Sequence, residues 1–281
     1  MKKEKIIFIG TSQFAVPALK SLIENKYNLI YVITRPDKPT PSPIKQTALE
    51  YNIKILQPEK ISDIASKILD LKPDLIITAA YGQIIPKDIL NTPKFNSLNL
   101  HPSLLPKYRG PSPIQTAILN NDKTTGITIM LMDEKMDHGP IISQIEIKIN
   151  DQFNYQTLEK KLSQEAADLL IKTLPQYFQN KIKPKPQKEE KASYTKILTR
   201  QDGKINWQQT AQEIERKIRA FYPWPGTWTE LNGKRIKILK AKITNQGFLK
   251  LELVQPAGKK PMTGQEFFKG CKDTKTWSFK T

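Results

Sequence analysis

Three polar side chains in this sequence have types and spacing that suit proton transfer and charge stabilisation. Asn99 and His101 stand two residues apart at the end of a short apolar run, and Asp137 follows in a turn-rich segment. Side chains two apart on a strand share one face and lie about 6–7 Å apart, so both could reach one substrate atom. A carboxylate beside an imidazole orients it for proton transfer. The pattern alone still favours ordinary polar residues, because short motifs match by chance.

The residues that follow His101 predict a rigid, exposed loop. Three prolines fall within 102–111, and Pro102 ends the predicted strand because proline cannot donate to a strand ladder. Leu104 and Leu105 are unusual in a loop. They could anchor the loop in the core or form the wall of an apolar ligand slot, and general pocket statistics favour the anchors.

The elements that must position these residues alternate in type along the first 180 residues. Short apolar runs alternate with amphipathic stretches, which predicts a doubly wound α/β fold with a mostly parallel sheet. Ligands of such sheets bind beyond the carboxyl ends of the strands, where Asn99 and His101 fall. The predicted strands are 5–9, 29–33, 74–79, 97–100, 127–132 and 141–149; the predicted helices are one capped by Ser12, one at 63–71 capped by Ser62, one at 113–120 and one at 155–174.

The composition changes after Asn180, which predicts a domain boundary. The next residues are charged, contain prolines and lack apolar periodicity, as is typical of a semi-extended linker. A short helix at 208–220 and alternating segments at 227–231, 235–241 and 248–254 then predict a small β-domain. The predicted divisions are a catalytic domain at 1–180, a linker at 181–203 and a basic domain at 204–281.

The formal net charge of +18 is concentrated in the C-terminal part of the chain. Residues 1–180 carry 22 Lys and Arg against 18 Asp and Glu, whereas residues 181–281 carry 23 against 9. A lysine-rich proteome would explain overall basicity but would affect both parts alike. The asymmetry favours a polyanionic partner such as nucleic acid.

Several other classes of protein are disfavoured. Gly10-Thr11-Ser12-Gln13 lacks the second and third glycines of a dinucleotide fingerprint, so we expect no NAD. The spacing of His, Cys, Asp and Glu resembles no zinc site, so we expect no metal. The single cysteine, Cys271, excludes internal disulfides. No apolar run reaches the roughly 20 residues of a membrane span. We therefore expect a cytoplasmic protein without membrane contacts.

Several longer segments resemble those of the methionyl-tRNA formyltransferase family, and the resemblance covers nearly the whole chain. Asn-x-His with a downstream Asp is shared by folate-dependent formyltransferases in general, so it specifies only the chemistry. The segments 220–226 and 254–262 are specific to the tRNA enzymes. The matching segments are 9–17, 80–86, 99–110, 136–140, 220–226 and 254–262.

The resemblance implies a formyltransferase that moves a formyl group from 10-formyltetrahydrofolate to the amino group of initiator methionyl-tRNA. Asn99 and His101 would stabilise the oxyanion, and Asp137 would position His101 and help take the proton of the amine. The folate would contact the loop that follows the strand. The residues of this loop that match the family are Ser103, Leu104, Leu105 and Pro106.

The resemblance also implies a Rossmann-like catalytic domain followed by an OB-like barrel. A complete OB-fold has five strands, and only three are convincing here, so we expect a reduced or partly open barrel. Its positive charge would contact tRNA phosphates, in a salt-sensitive way. We expect the protein to be a monomer. The basic residues selected as candidate RNA contacts are Arg219, Lys234, Arg235 and Lys237.

One segment departs from the family. A Gly- and Lys/Arg-rich loop normally separates Arg-Pro-Asp from Pro-Ser-Pro in these enzymes, and it is associated with the acceptor end of the tRNA. Here only Lys38-Pro39-Thr40 separates Asp37 from Pro41. The mode of initiator recognition, and whether the short loop relaxes selectivity, therefore stay open at this stage.

Two other functions remain open at this stage. The first is a related folate-dependent formyltransferase or deformylase that acts on a small amine or on water. It would share Asn99, His101 and Asp137 but would not need the segment 220–226 or the basic domain. The second is a non-catalytic RNA-binding protein on the same fold, which would bind tRNA without turnover.

Overall fold

The computed structural model describes residues 3–270, so Cys271 and the end of the predicted basic domain lie outside the described residues. The described chain packs into two compact units. Residues 181–195 belong to the first unit, although their composition predicts a linker. Of the described residues, the first unit contains 3–113, 124–148 and 159–195, and the second contains 114–123, 149–158 and 196–270.

A seven-stranded sheet forms the centre of the first unit. The strands are β1 (Lys5–Gly10), β2 (Asn28–Ile33), β3 (Ile55–Leu56), β4 (Leu75–Ala79), β5 (Ser97–His101), β6 (Thr124–Leu131) and β7 (Ile141–Lys148), in the order β3-β2-β1-β4-β5-β6-β7. The first five run parallel, and β6 and β7 run antiparallel to their neighbours. The predicted α/β fold with a mostly parallel sheet is therefore confirmed. The direction changes between β5 and β6, beside Asn99 and His101.

Six helices accompany this sheet along the chain. They are α1 (Val16–Glu24), α2 (Pro43–Glu50), α3 (Ala65–Leu71), α4 (Lys87–Leu90), α5 (Pro113–Leu119) and α6 (Tyr155–Phe178). Strands β1 and β4 are almost wholly buried, because helices cover both faces of a parallel sheet and leave no wet side. This explains why both strands are continuous apolar runs.

Several helix starts differ from the sequence-based predictions, and the helix predicted from residue 208 begins at Ala211. Ser12 makes no capping hydrogen bond, and the helix predicted to begin after Ser62 begins at Ala65, because a 3-10 turn precedes each helix. Helix α2 was not predicted. The hydroxyl of Ser42 accepts a hydrogen bond from the main-chain N of Lys45, and Pro43 opens the helix, where its missing N–H costs nothing.

The second unit contains a four-stranded antiparallel sheet. Its strands are β8 (Thr227–Leu231), β9 (Lys234–Ile243), β10 (Leu249–Pro256) and β11 (Met262–Thr263), in the order β11-β10-β9-β8. The three predicted strands are confirmed, and β11 adds a short fourth. Helices α7 (Ala211–Phe221) and α8 (Gly264–Lys269) belong to this unit, as do α5 from residue 114 onward and the first turn of α6.

Helix α7 is fixed by a cap at its start and by its apolar face. Thr210 and Glu213 form a reciprocal capping box, in which each side chain accepts a hydrogen bond from the other residue's main-chain N. Ile214 and Ile218 lie one turn apart and are buried against the inner face of the sheet, which includes Ile236. No helix within residues 3–270 has the length and apolar character needed to cross a membrane.

Candidate active site

Asn99 and His101 lie on one face of β5, at its carboxyl end. In the sheet Asn99 is paired with Thr78 of β4 and with Met130 of β6, and His101 is paired with Thr128 of β6. The His101 side chain is only 5% exposed. The alternation of side chains along the strand therefore places the amide and the imidazole together, as the two-residue spacing predicts.

Asp137 joins these two residues from the segment between β6 and β7. Its Oδ1 accepts a hydrogen bond from Nδ2 of Asn99 at 3.3 Å, and its Oδ2 lies 3.5 Å from Nδ1 of His101. Oδ2 also accepts a hydrogen bond from the main-chain N of Gly110 at 2.7 Å. All three predicted catalytic side chains therefore meet at the carboxyl end of β5.

The contacts of His101 define which ring nitrogen faces the carboxylate. Nε2 lies 2.8 Å from the carbonyl oxygen of Tyr108. A carbonyl oxygen only accepts, so Nε2 carries a hydrogen and Nδ1 faces Asp137. A proton between Nδ1 and Oδ2 makes this contact attractive, whereas without it two lone pairs face each other. Nδ1 of His101 and Oδ2 of Asp137 therefore lie where a proton on Nδ1 points towards the carboxylate.

The main chain around Asp137 is held by a glutamine that sequence reasoning did not single out. Nε2 of Gln187 donates to the carbonyl oxygens of Asp137 at 2.8 Å and Gly139 at 2.9 Å. Asp137 has φ of 48°, in the left-handed region that side chains other than glycine rarely adopt. A Cβ at Gly139 would overlap the carbonyl oxygen of Leu131, so only glycine fits there.

Arg109 holds Gln187 in turn, and it is fully buried. Its Nε and Nη2 donate to Oε1 of Gln187 at 3.1 and 3.0 Å. Its two terminal nitrogens donate to the carboxylate of Glu189 at 3.0 and 2.9 Å, and this guanidinium holds the pKa of Glu189 below its usual range. The segment predicted as a linker thus supplies part of the frame around the candidate site.

The loop after β5 is fixed largely by its own polar groups. The hydroxyl of Ser103 donates to the carbonyl oxygen of Lys107 at 2.6 Å, and the Ser103 carbonyl accepts from Thr128 at 2.6 Å. The main-chain N of Leu105 donates to Thr128, and its carbonyl accepts from Gln144. Ser103 and the main chain of Leu105 are therefore engaged within the protein.

The apolar side chains of the same loop divide into two groups. Leu105 is 3% exposed and anchors the loop, whereas Leu104 and Pro106 are half-buried. The Leu104 side chain lies over Gly126, where an added Cβ would overlap it. The exposed parts of Leu104 and Pro106 are what this loop can offer a ligand, and their predicted contact with folate stays a prediction.

A cleft of about 440 Å³ lies in the first unit, beyond the ends of β2 and β4. It combines two cationic side chains with Ile84, which is 85% exposed. Asn99, His101 and Asp137 are not among its lining residues. These are Arg35, Glu59, Lys60, Ile61, Ser62, Gln83, Ile84 and Pro86.

Three of the four predicted RNA-binding residues lie at or near the start of β9. Lys234, Arg235 and Lys237 are all exposed, and Ile236 between them is buried in the core of the second unit. The guanidinium carbon of Arg235 lies 3.9 Å from the centre of the Trp228 ring. These exposed cations are available to a polyanion, and their role stays a prediction.

The fourth predicted residue, Arg219, is differently placed. Its side chain is 14% exposed, and Nε donates to Glu215 at 2.7 Å while Nη1 donates to the carbonyl oxygen of Phe153 at 2.8 Å. Much of its donor capacity is therefore used inside the second unit, which favours a structural role.

The family models identify the chain, with its mostly parallel sheet that brings Asn, His and Asp together and its second, antiparallel sheet, as a formyl transferase. The model of the formyl transferase family matches residues 4–174, and the model of the formyl transferase C-terminal domain matches residues 197–248. Curated methionyl-tRNA formyltransferases of Bacillus subtilis and Thermodesulfovibrio yellowstonii are 42% and 43% identical in sequence to this chain. Both alignments cover 95% of this chain, and they cover 95% and 96% of the relatives. The chain belongs to the methionyl-tRNA formyltransferase family.

Solved structures support the same fold. An N-formyltransferase from Helicobacter canadensis, in complex with folinic acid and dTDP-3-aminofucose, has a TM-score of 0.69 and 25% identity, over 86% of this chain and 88% of that chain. HypX from Aquifex aeolicus, in complex with tetrahydrofolic acid, has a TM-score of 0.70 and 16% identity, over 95% of this chain and 47% of that one. The second similarity shows the fold alone.

Proposed function

We propose that the protein transfers a formyl group from 10-formyltetrahydrofolate to the amino group of methionyl-tRNA. The observation that carries the proposal is the meeting of Asn99, His101 and Asp137 at the carboxyl end of β5. The curated methionyl-tRNA formyltransferases, which align over almost the whole chain, support this acceptor over a small amine or water.

The three side chains have distinct roles in the proposed reaction. The methionyl amine attacks the formyl carbon and forms a C–N bond, which leaves negative charge on the formyl oxygen. The side chains of Asn99 and His101 stabilise that oxygen. Asp137 orients His101 and accepts the proton that the amine loses. When the oxyanion collapses, the bond to the folate nitrogen breaks and that nitrogen takes up a proton.

The described residues fit a folate, which needs an apolar surface for its ring system and cations for its carboxylates. The cleft beyond β2 and β4 offers both, since Ile84 is exposed and Arg35 and Lys60 are cationic. Leu104 and Pro106, in the loop that follows His101, offer further half-buried apolar side chains. These residues would hold the donor, which supplies the formyl carbon.

The acceptor is proposed to be the initiator form of methionyl-tRNA, bound by a monomeric, cytoplasmic enzyme. Lys234, Arg235 and Lys237 would contact its phosphates, because they are exposed and lie in the part of the chain with the large positive charge. Asp37 fixes the short connection between β2 and α2, because its carboxylate accepts hydrogen bonds from Lys45 at 2.6 Å and from Gln57 at 2.8 Å.

Parallel acceptor assays test this proposal. Formyl transfer from 10-formyltetrahydrofolate is measured with initiator methionyl-tRNA, elongator methionyl-tRNA and glycinamide ribonucleotide. We expect transfer to the initiator and none to the small amine. Transfer to both tRNAs would preserve the chemistry and remove the initiator selectivity. Transfer only to the small amine or to water would refute the proposed acceptor.

A further inference from the structure

We infer that Gln187 is a positioning residue for Asp137, and this inference rests on the proposed function. Its side-chain amide donates to the carbonyl oxygens of Asp137 and Gly139, at 2.8 and 2.9 Å. Gln187 thus binds the main chain on both sides of His138, including that of Asp137, the proposed proton acceptor. It touches no reacting atom itself.

The backbone of Asp137 needs such a restraint. Its φ of 48° lies in the left-handed region, which is unfavourable for a residue with a side chain and persists only where surrounding contacts impose it. The carboxylate accepts hydrogen bonds from the main-chain N of Gly110 and from Asn99, but neither of these contacts restrains the main chain of Asp137. Gln187 holds the backbone, so that the side chain and the main chain of Asp137 are fixed by two different segments.

Both restraints lead back to the same two residues. Arg109 fixes Oε1 of Gln187 with two hydrogen bonds, and the adjacent Gly110 fixes Oδ2 of Asp137. A closed ring of contacts therefore runs from the Arg109 side chain through Gln187 to Asp137 and back through Gly110. A closed ring determines both the distance and the orientation of the carboxylate relative to β5, which a single contact cannot do.

The segment around Gln187 is itself anchored to the same loop. The main-chain N of Arg109 donates to the carbonyl oxygen of Ser193 at 2.8 Å, and its carbonyl accepts from the main-chain N of Thr195 at 2.7 Å. Arg109 is fully buried. The segment that carries Gln187 is therefore fixed independently of the Gln187 side chain. We expect the loss of that side chain to loosen Asp137 more than it loosens this segment.

Two substitutions separate positioning from packing. Gln187→Glu keeps the oxygen that accepts from Arg109 but places a carboxylate oxygen against the two carbonyls, which abolishes both donations. Gln187→Met removes all four contacts with little change in volume. Gln164→Glu and Gln164→Met are matched controls, because Gln164 is exposed on α6 and donates only to Asp168 there.

Steady-state formylation is measured for each variant, with KM for both substrates and the melting temperature. We expect kcat to fall at least tenfold in both Gln187 variants, since misplacing a reacting group by about 1 Å can cost 100-fold. KM should change less than twofold, and the controls should match the wild type. A kcat of Gln187→Glu within twofold of the wild type overturns the inference. A change in KM without a change in kcat also overturns it, as does a loss of kcat that is explained entirely by the fraction of unfolded protein.

A double substitution distinguishes this inference from the proposed function. In an Asp137→Asn background, Gln187→Met should cause no further loss of kcat, because Gln187 acts through Asp137. An additive loss overturns the inference while leaving the role of Asp137 intact. Normal turnover of Asp137→Asn alone would instead refute the proposed role of Asp137. The pH profile of kcat should also change in Gln187→Glu and remain that of the wild type in Gln164→Glu.

Discussion

Replacement of Asp137 by asparagine removes the proposed proton acceptor with almost no change in size. In the structure Oδ2 accepts from Gly110 and faces His101, while Oδ1 accepts from Asn99. The side-chain amide of an asparagine has only one oxygen, and we expect that oxygen to accept the hydrogen bond from the main-chain N of Gly110. Its NH2 group then faces the amide of Asn99, which must turn its own oxygen towards it to avoid two opposed donors.

The expected loss follows from these two changes. A positioned general base contributes about 10²–10⁴-fold, and one oxyanion donor contributes about 10²–10³-fold. Because both act on one transition state, we expect kcat to fall about 10⁴-fold, equivalent to about 5.5 kcal/mol of barrier. The folded protein keeps its hydrogen bonds to Gly110 and Asn99, so its melting temperature should change by only a few degrees.

Single-turnover formylation with saturating enzyme is the suitable assay, because it isolates the chemical step from product release. Binding of tRNA and of folate is measured separately and should stay within a few-fold of the wild type. Turnover within tenfold of the wild type would refute the assigned role of Asp137. A large loss of both binding and stability would show that the carboxylate serves structure rather than proton transfer.

Three further predictions concern the frame of the site, the second unit and the partner. Gly139→Ala should abolish turnover and lower stability, measured by thermal melts, because its Cβ would overlap the Leu131 carbonyl. Hydrogen bonds from Lys196 and then from Thr199 lower the pKa of Asp202 from 3.8 to about 2, so the stability that Asp202 contributes is present above pH 3.8 and is lost as the pH falls towards 2. Urea titrations should show a loss of about 1 kcal/mol over this range, which Asp202→Asn removes. Lys237→Gln should weaken tRNA binding and reduce the salt dependence by about one phosphate contact; an unchanged slope would exclude that contact.

Structural features that depend on local sequence spacing, within one strand or helix, were predicted well from the sequence. The alternation of side chains placed Asn99 and His101 together because strand geometry depends only on local spacing. Helix α2 was not predicted, although Ser42 followed by Pro43 is a favourable helix start. The predicted cap at Ser62 was wrong because a 3-10 turn delays the helix to Ala65.

The frame around the candidate site was much less predictable. Arg109 and Gln187 are 78 residues apart in the chain, and Gln187 and Asp137 are 50 apart. Neither periodicity nor residue type carries information about such a pairing. The polar, proline-containing composition of 181–195 is typical of a linker, and nothing local distinguishes a free linker from one whose polar groups are used by a distant loop.

The position of Gln187 in the chain bears on the order in which the enzyme becomes competent during synthesis. All three proposed catalytic side chains have been made by residue 137, and the last strand of the large sheet ends at Lys148. The hydrogen bond from Gln187 to the main chain of Asp137 can form only once residues 187–195 have left the ribosome and have packed against the loop at Arg109. A nascent chain or a fragment that ends at residue 180 would therefore contain all three catalytic side chains and all seven strands of the sheet, but it would lack the hydrogen bonds from Gln187 to residues 137 and 139.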